Sequence, residues 1–371
     1  MVPASSPPAQ KAKARRVFPP QKKTPALVGI DVGTTAIKVL QLSRHADRLR
    51  VDHYAIEPLQ PGLVRDKTIT SNEPVAQAIE RALRRAGVKV KGAAVAVSGS
   101  GVTTKVISIP GSLQGLSEDD LQSQVELEAA NHIPFPLDEV RMDYDVLGAA
   151  KADGMLEVLV AVARNEAVMP LQEAVEMAGL TVEIMDVESL AMESAYRTVA
   201  QDRQVGSEER VALVNIGAES VGLTVFQNGQ PLYSREQAFN TQDLEKNTRQ
   251  RGGLSQEEAL AQLRNGTHPE GFEEEVIAPF RENLVQSVGR LLQYFYSNTE
   301  QHATVQRVLL TGGGARTPGL EAALDDHLGI PAQVVNPLSA MSVGPGVNGR
   351  DLTADAPLLF LVTGLALRSV A

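Results

Sequence analysis

The sequence predicts an α/β protein made of two related halves, and three observations carry that expectation. From Leu27 onward, apolar runs of strand length alternate with amphipathic stretches of helical period, as sheets covered by helices require. A strand, a polar glycine turn and a second strand, LVGIDVGTTAIKV, return within LVNIGAESVGLTV, with Asp31 aligned on Asn215 and Gly33 on Gly217. Beyond the second copy, the apolar strand RVLLTG runs into the triplet Gly312, Gly313 and Gly314.

In chain order, the opening hairpin is followed by a strand near Leu49 to Ile56. A helix from about Pro74 comes next, with Val75, Ile79, Leu83 and Ala86 on one face and Gly87 as its stop. The strand GAAVAVSG leads into a segment of different texture: TTKVISIP, a helix opened by Ser117 with Asp120 three residues on, IPFPLDEV, and two strands ending in MLEVLVAVAR. This segment is expected to be an inserted subdomain. A helix near Ser189 to Val199 opens the second half, and Asn228-Gly229 is the strongest short hairpin signal in the chain. A long helix from about Glu273 to Ser297 aligns Phe280, Leu284, Val288, Leu291 and Phe295 as a core stripe. The run APLLFLVTGLAL, shorter than the roughly 17 to 25 residues of a membrane span, reads as a buried helix.

Composition excludes several function classes. The chain has 371 residues, a formal net charge of -10 and no cysteine. Disulfides, cysteine-ligated zinc and thiol chemistry are thereby ruled out, and the acidic balance disfavours nucleic-acid binding. The six histidines show no metal-ligand spacing, and no apolar secretory signal opens the sequence. Residues 1–25 hold Lys11, Lys13, Arg15, Arg16, Lys22 and Lys23 with no acid and many prolines, the composition of a disordered basic arm. Without those six charges the remainder carries about -16. The arm reads either as a solvated tail or as a weak contact with an anionic membrane surface.

Two glycine turns facing each other can grip a polyphosphate from both sides, because successive backbone amides form an anion-binding concavity and glycine permits close approach. The first turn would contribute Gly33, Thr34 and Thr35, and Asp31 would orient a hydrated Mg²⁺. Lys38 is either a charge partner for the phosphates or a solvated strand residue. Glycines 312 to 314 would let backbone lie against a base or ribose, the alternative being a flexible turn.

Turn, second turn and glycine triplet in this order resemble the first phosphate loop, second phosphate loop and adenosine loop of the actin-like ATPase superfamily. The second loop would then comprise Asn215, Gly217, Ala218, Glu219 and Ser220. Within that superfamily the sequence resembles the PilM family of type IV pilus assembly proteins. The likeness is carried by GIDVGTTAIKVLQLS, LSEDDLQSQVELEAANHIPFPLDEVRMDYDV, ALVNIGAES, LYSREQAF, LLTGGGA and DAPLLFLVTGLALRS. It implies a two-lobed actin-like (ribonuclease H-like) fold that binds ATP and Mg²⁺ between its lobes. It also implies a cytoplasmic place on the inner-membrane pilus platform and capture of the N-terminal cytoplasmic segment of the membrane protein PilN.

The implied organisation is a first lobe of residues 26–90 and 186–205, rejoined by 351–371. An SHS2-type insert of the kind shared with the cell-division relative FtsA takes 91–185, and a second lobe takes 206–350. Glu188 stands where superfamily ATPases carry a water-orienting residue, with a structural role as the alternative, and Glu193 and Asp143 have weaker claims. Three departures bear on activity. Asn215 replaces the usual Asp, which removes a carboxylate from the metal. Asn240-Thr241 replaces Gly-Gly, and Leu260 and Leu263 stand where polar residues are usual on the adenosine side. Weak hydrolysis at most and a lowered nucleotide affinity are therefore expected. A true ATPase, an FtsA-like polymerising protein and a small-molecule kinase are the alternatives. The second is disfavoured by a chain that stops soon after LALR, the third by the lack of an acceptor base.

Overall fold

The computed structural model describes residues 26–45, 48–111, 117–150, 154–255, 258–259, 262–263, 270–299 and 304–370; the basic arm and Leu260 lie outside them. Leu27–Val32 (β1), Ala36–His45 (β2) and Arg48–Pro58 (β3) form an antiparallel meander. After the hairpin Val64–Arg65 (β4) and Thr68–Ile69 (β5) and the helix Asn72–Ala86 (α1), Gly92–Val97 (β6) lies parallel to β1. Val102–Pro110 (β7), Glu118–Ala130 (α2), Val140–Ala149 (β8) and Met155–Arg164 (β9) then build a separate three-stranded sheet with one helix. Asn165–Met177 (α3) leads back to Thr181–Val187 (β10), which pairs with β6.

The helix Glu188–Asp202 (α4) passes to the second half. There follow Arg210–Ile216 (β11), Ser220–Gln227 (β12), Gln230–Ala238 (β13), Gln242–Gly252 (α5), Ala278–Asn298 (α6), Arg307–Thr311 (β14), Leu320–Leu328 (α7) and Ala332–Val334 (β15). Ser342–Val343 (β16), Gly349–Asp355 (α8) and Phe360–Leu367 (α9) end the described elements.

The sequence repeat reappears as topology. The first sheet runs β10-β6-β1-β2-β3-β16 and the second β13-β12-β11-β14-β15. From the meander edge, β3-β2-β1-β6-β10 matches β13-β12-β11-β14-β15 in order, and in each half the second strand is antiparallel to both its neighbours while the rest run parallel. This is the two-lobed actin-like fold that the sequence resemblance implies.

Local chemistry sets the element ends. Gly87 closes α1 in the left-handed region (φ 73°). The Ser117 hydroxyl accepts the Asp120 amide to cap α2. Asn228 and Gly229 (φ 52° and 71°) make the two-residue turn between β12 and β13. The α6 stripe Leu284, Val288, Leu291 and Phe295 is fully buried against the second sheet, each such side chain contributing about 1.5–3 kcal/mol. A π-helical turn at Glu273–Ile277 precedes that helix, so the regular part begins later than the sequence pattern indicates.

Three expected boundaries move. β6, α3 and most of β10 fall inside the expected insert, yet β6 pairs with β1, β10 pairs with β6, and Val168, Leu171, Ala174 and Val175 of α3 fill the core of the first lobe. The separate unit is Val102–Arg164. Helix α4, expected in the first lobe, turns Met192, Tyr196 and Val199 onto Val211, Leu213 and Phe226 of the second sheet, with the Tyr196 and Phe226 rings stacked at 3.8 Å. The return to the first lobe begins before residue 351, because β16 pairs with β3 and the Gly344 amide donates to Val51 O.

The APLLFLVTGLAL run is a buried helix, as expected. Its α9 portion is wedged between the lobes at two points where a side chain has no room. A Cβ on Gly29 of β1 would lie 2.8 Å from the Ala366 nitrogen, and one on Gly364 would lie 2.5 Å from the Ala191 carbonyl carbon of α4. No helix among the described residues is long and apolar enough to cross a membrane.

Candidate functional site

The two repeated turns are closed the same way. The Gly33 amide donates to Ala36 O at 3.1 Å and the Gly217 amide to Ser220 O at 2.9 Å, so in each turn the glycine bonds to the residue three places on. Each turn sits at the end of the central strand of its sheet, and the two are brought together. Thr34 of the first and Glu219 of the second line one cavity of about 280 Å³, with Gly62, Arg65 and Asp66 from the β4–β5 hairpin and Gln242 from α5. A larger depression of about 430 Å³, lined by Arg84, Lys89 and Lys91 among others, lies at the far end of the first sheet where β6 starts, and holds none of the sequence-predicted residues.

Asp31 and Lys38 face each other across the first hairpin, and the Lys38 Nζ donates to Asp31 Oδ2 at 2.9 Å with both side chains largely buried. Lys38 is thus neither solvated nor free for phosphate alone: it neutralises Asp31 beside Gly33. The equivalent pair in the second hairpin is Asn215 and Gly222. With no cation across the strand, a carboxylate at 215 would lack the counter-charge that Asp31 has, and the neutral amide suits the position.

Asn215→Asp is therefore expected to lower the unfolding free energy in metal-free buffer by about 1 kcal/mol, for a half-buried unpaired carboxylate, and to regain it when Mg²⁺ and ATP are added. Calorimetry with and without the metal checks this. A loss that Mg²⁺ with ATP leaves unchanged would mean that the second turn does not face the metal. Among the described residues, no group of three or more His, Asp or Glu is arranged to hold a metal directly.

The glycine triplet abuts the second turn. Gly312 has φ 87°, and its Cβ would lie 2.7 Å from Asn215 Oδ1. Gly314 packs against the Ile216 side chain, where a Cβ would be 3.1 Å from that of Ile216. Gly313 differs: a Cβ there meets nothing within 4 Å. Two of the glycines are needed by the fold, and the third presents bare backbone to open space. The Gly312 amide and the Thr311 hydroxyl both donate to Pro357 O at 2.8 Å.

The Asn240-Thr241 departure has a structural role. The Thr241 hydroxyl donates to Gly217 O at 2.9 Å and its amide to Ala218 O at 2.9 Å, so Thr241 buttresses the second turn. Leu263 packs on the small core of Leu244, Phe272, Val276 and Ile277. Thr35 is exposed, and its carbonyl accepts the Leu59 amide.

Glu188, the first residue of α4, does not stand alone. Its carboxylate accepts from Lys67 Nζ at 3.3 Å, and the same ammonium donates to Glu236 of β13 at 2.9 Å. Glu236 also accepts from the Ser220 hydroxyl of the second turn. Burial disfavours the charged form of both Lys67 and Glu236. The two carboxylates nevertheless hold the lysine above its ordinary value, and Lys67 together with the Ser220 hydroxyl holds Glu236 below its own. Sequence reasoning misses both: Lys67 belongs to no motif, and Glu236 stands in LYSREQAF, which marks the family likeness but points to no role for this carboxylate. Of the weaker candidates, Glu193 pairs with Arg197 one turn along α4, and Asp143 lies exposed on β8 of the small sheet.

Comparison with known proteins assigns the family. The profile of the family described as "Type IV pilus assembly protein PilM" matches residues 29–370. The solved PilM-PilN type IV pilus biogenesis complex contains a chain that superposes with a TM-score of 0.75 at 26% identity, over 94% of this chain and 99% of that one. The ethanolamine utilization protein EutJ of Carboxydothermus hydrogenoformans shares the fold at a TM-score of 0.51 and 17% identity, over 95% and 91% of the two chains. The cell division protein FtsA of Borreliella burgdorferi is 21% identical over 367 residues, 86% of each chain. The chain belongs to the PilM family of type IV pilus assembly proteins.

Proposed function

We propose that this protein is a nucleotide-binding scaffold of the type IV pilus assembly machinery, holding ATP with Mg²⁺ between its two glycine turns and capturing the N-terminal segment of a PilN partner. The observation that carries the nucleotide part is the meeting of the two turns in one cavity, with Gly313 bare beside the second. Gly33, Thr34 and Thr35 would face the phosphates from one side, and Gly217, Ala218, Glu219 and Ser220 from the other. Asp31, with its charge shared by Lys38, would orient a water of the metal's shell. Hydrolysis is slow in this reading: Asn215 offers the metal no carboxylate, and the Glu188 carboxylate is held by Lys67. The PilN part is supported by family membership and by the likeness to the PilM chain of a PilM-PilN complex. Residues 1–25 would add a weak contact with the anionic inner-membrane face.

The test is Gly313→Leu. Its side chain enters open space, so the unfolding free energy should stay within about 0.5 kcal/mol of the parent, while the dissociation constant for a fluorescent ATP analogue should rise on the order of tenfold or more. Unchanged affinity would overturn the adenosine assignment. Titrating a synthetic peptide of the PilN N-terminal segment with and without ATP tests the scaffold reading. By linkage, nucleotide alters peptide affinity by the same factor by which peptide alters nucleotide affinity.

A further inference from the structure

The β4–β5 hairpin belongs to the first lobe by its base and touches the second by its tip. Leu59, Val64 and Ile69 are packed into the first-lobe core, and Thr70 clamps the base through its hydroxyl to Gly62 O at 2.8 Å and its amide to Leu63 O at 2.9 Å. The tip is Asp66-Lys67, both in the left-handed region (φ 46° and 63°) with no glycine to ease it, a strained two-residue turn that surrounding contacts must hold. From that tip Lys67 reaches Glu236 on β13 of the opposite sheet and Glu188 at the start of α4. Asp66, its neighbour, lines the cavity shared by the two phosphate-facing turns.

We propose that this hairpin is a strap over the cleft, pinned to the second lobe by Lys67, and that release of the pin sets how fast nucleotide enters and leaves. The inference rests on the nucleotide reading above for its second half only. Glu188 and Glu236 bring two negative charges to one ammonium, and Glu236 is further bonded by Ser220 of the second turn, so the pin is wired directly to a loop that would hold phosphate. A polyanion in the cavity meets the carboxylate of Asp66, the strap-tip residue beside the pin that lines it, and this like-charge contact couples occupancy to strap position. Removing one partner of a partly buried charge pair between two surfaces acts mainly on the rate of separation, and strap opening is the step that commits a closed cleft to release. Lys67 is in this sense a positioning residue.

The experiment uses the full chain and the variants Lys67→Met, Lys67→Arg and Glu236→Gln, with hydrogen exchange of residues 60–70 in nucleotide-free protein and stopped-flow dissociation of a fluorescent ATP analogue with Mg²⁺. Lys67→Met should expose the hairpin amides to faster exchange and raise the dissociation rate on the order of tenfold. Lys67→Arg should restore most of both, and Glu236→Gln should fall between. Hairpin exchange unchanged in Lys67→Met overturns the pin. Faster hairpin exchange with an unaltered dissociation rate overturns the gating. A parent protein that binds no analogue overturns the functional reading and the gating with it, while the exchange measurement still decides the pin.

Discussion

Gly364→Ala is expected to destabilise the protein by about 3 kcal/mol, the upper part of the range for overpacking. The added methyl would meet the backbone of Ala191, 2.5 Å from its carbonyl carbon and 3.0 Å from its Cα. Backbone cannot rotate aside as a side chain can, so α9 must lift from α4, and α9 is the element that packs on both lobes at once. The control is Gly349→Ala at the start of α8, where a Cβ meets nothing within 4 Å and better helix propensity favours alanine by up to about 1 kcal/mol. Urea unfolding of the two variants measures the difference. If Gly364→Ala shifted the midpoint no more than Gly349→Ala, the two helices would not be in backbone contact.

The second large effect separates the three glycines of the triplet. Gly312→Ala places a methyl 2.7 Å from Asn215 Oδ1 and 2.8 Å from the Ile216 carbonyl carbon, at a φ of 87° that alanine resists. The cost should reach about 2–3 kcal/mol, from strain and crowding together, and the second turn should be displaced with it. Gly313→Ala should leave stability unchanged within about 0.5 kcal/mol. Denaturant midpoints of the two variants read this out directly. Equal effects would mean that the triplet is a flexible turn without the division of labour described here.

Much of this arrangement was legible because it rests on local chemistry. Asn228-Gly229, Gly87 and Ser117 announce a turn, a helix stop and a helix start by their own conformational preferences, and the repeated hairpin announces its own pairing. The Asp31–Lys38 pair could also have been found, since residues flanking a tight turn at equal distances face each other across a hairpin. What remained hidden depends on pairing between distant segments. Nothing in GAAVAVSG says that it joins β1 on one side and β10 on the other, so the expected insert swallowed two strands of the first lobe. The stripe on α4 is equally apolar whichever sheet it meets. Lys67 was invisible because its turn, Asp66-Lys67, lacks the glycine that marks such turns, and because its partners lie 121 and 169 residues away.

The carbonyl of Pro357 accepts both the Gly312 amide and the Thr311 hydroxyl, and three residues later the chain enters α9 against Gly29 of β1. Although the two sheets repeat one another strand for strand, the halves are therefore not separable parts. Expressing 206–350 by itself would strand the buried Thr311 hydroxyl and the Gly312 amide without their acceptor, and expressing the remainder would leave α9 with no second sheet to lean on. A duplicated topology has thus become one indivisible folding unit, joined at a segment that the chain reaches only after the strands of both sheets.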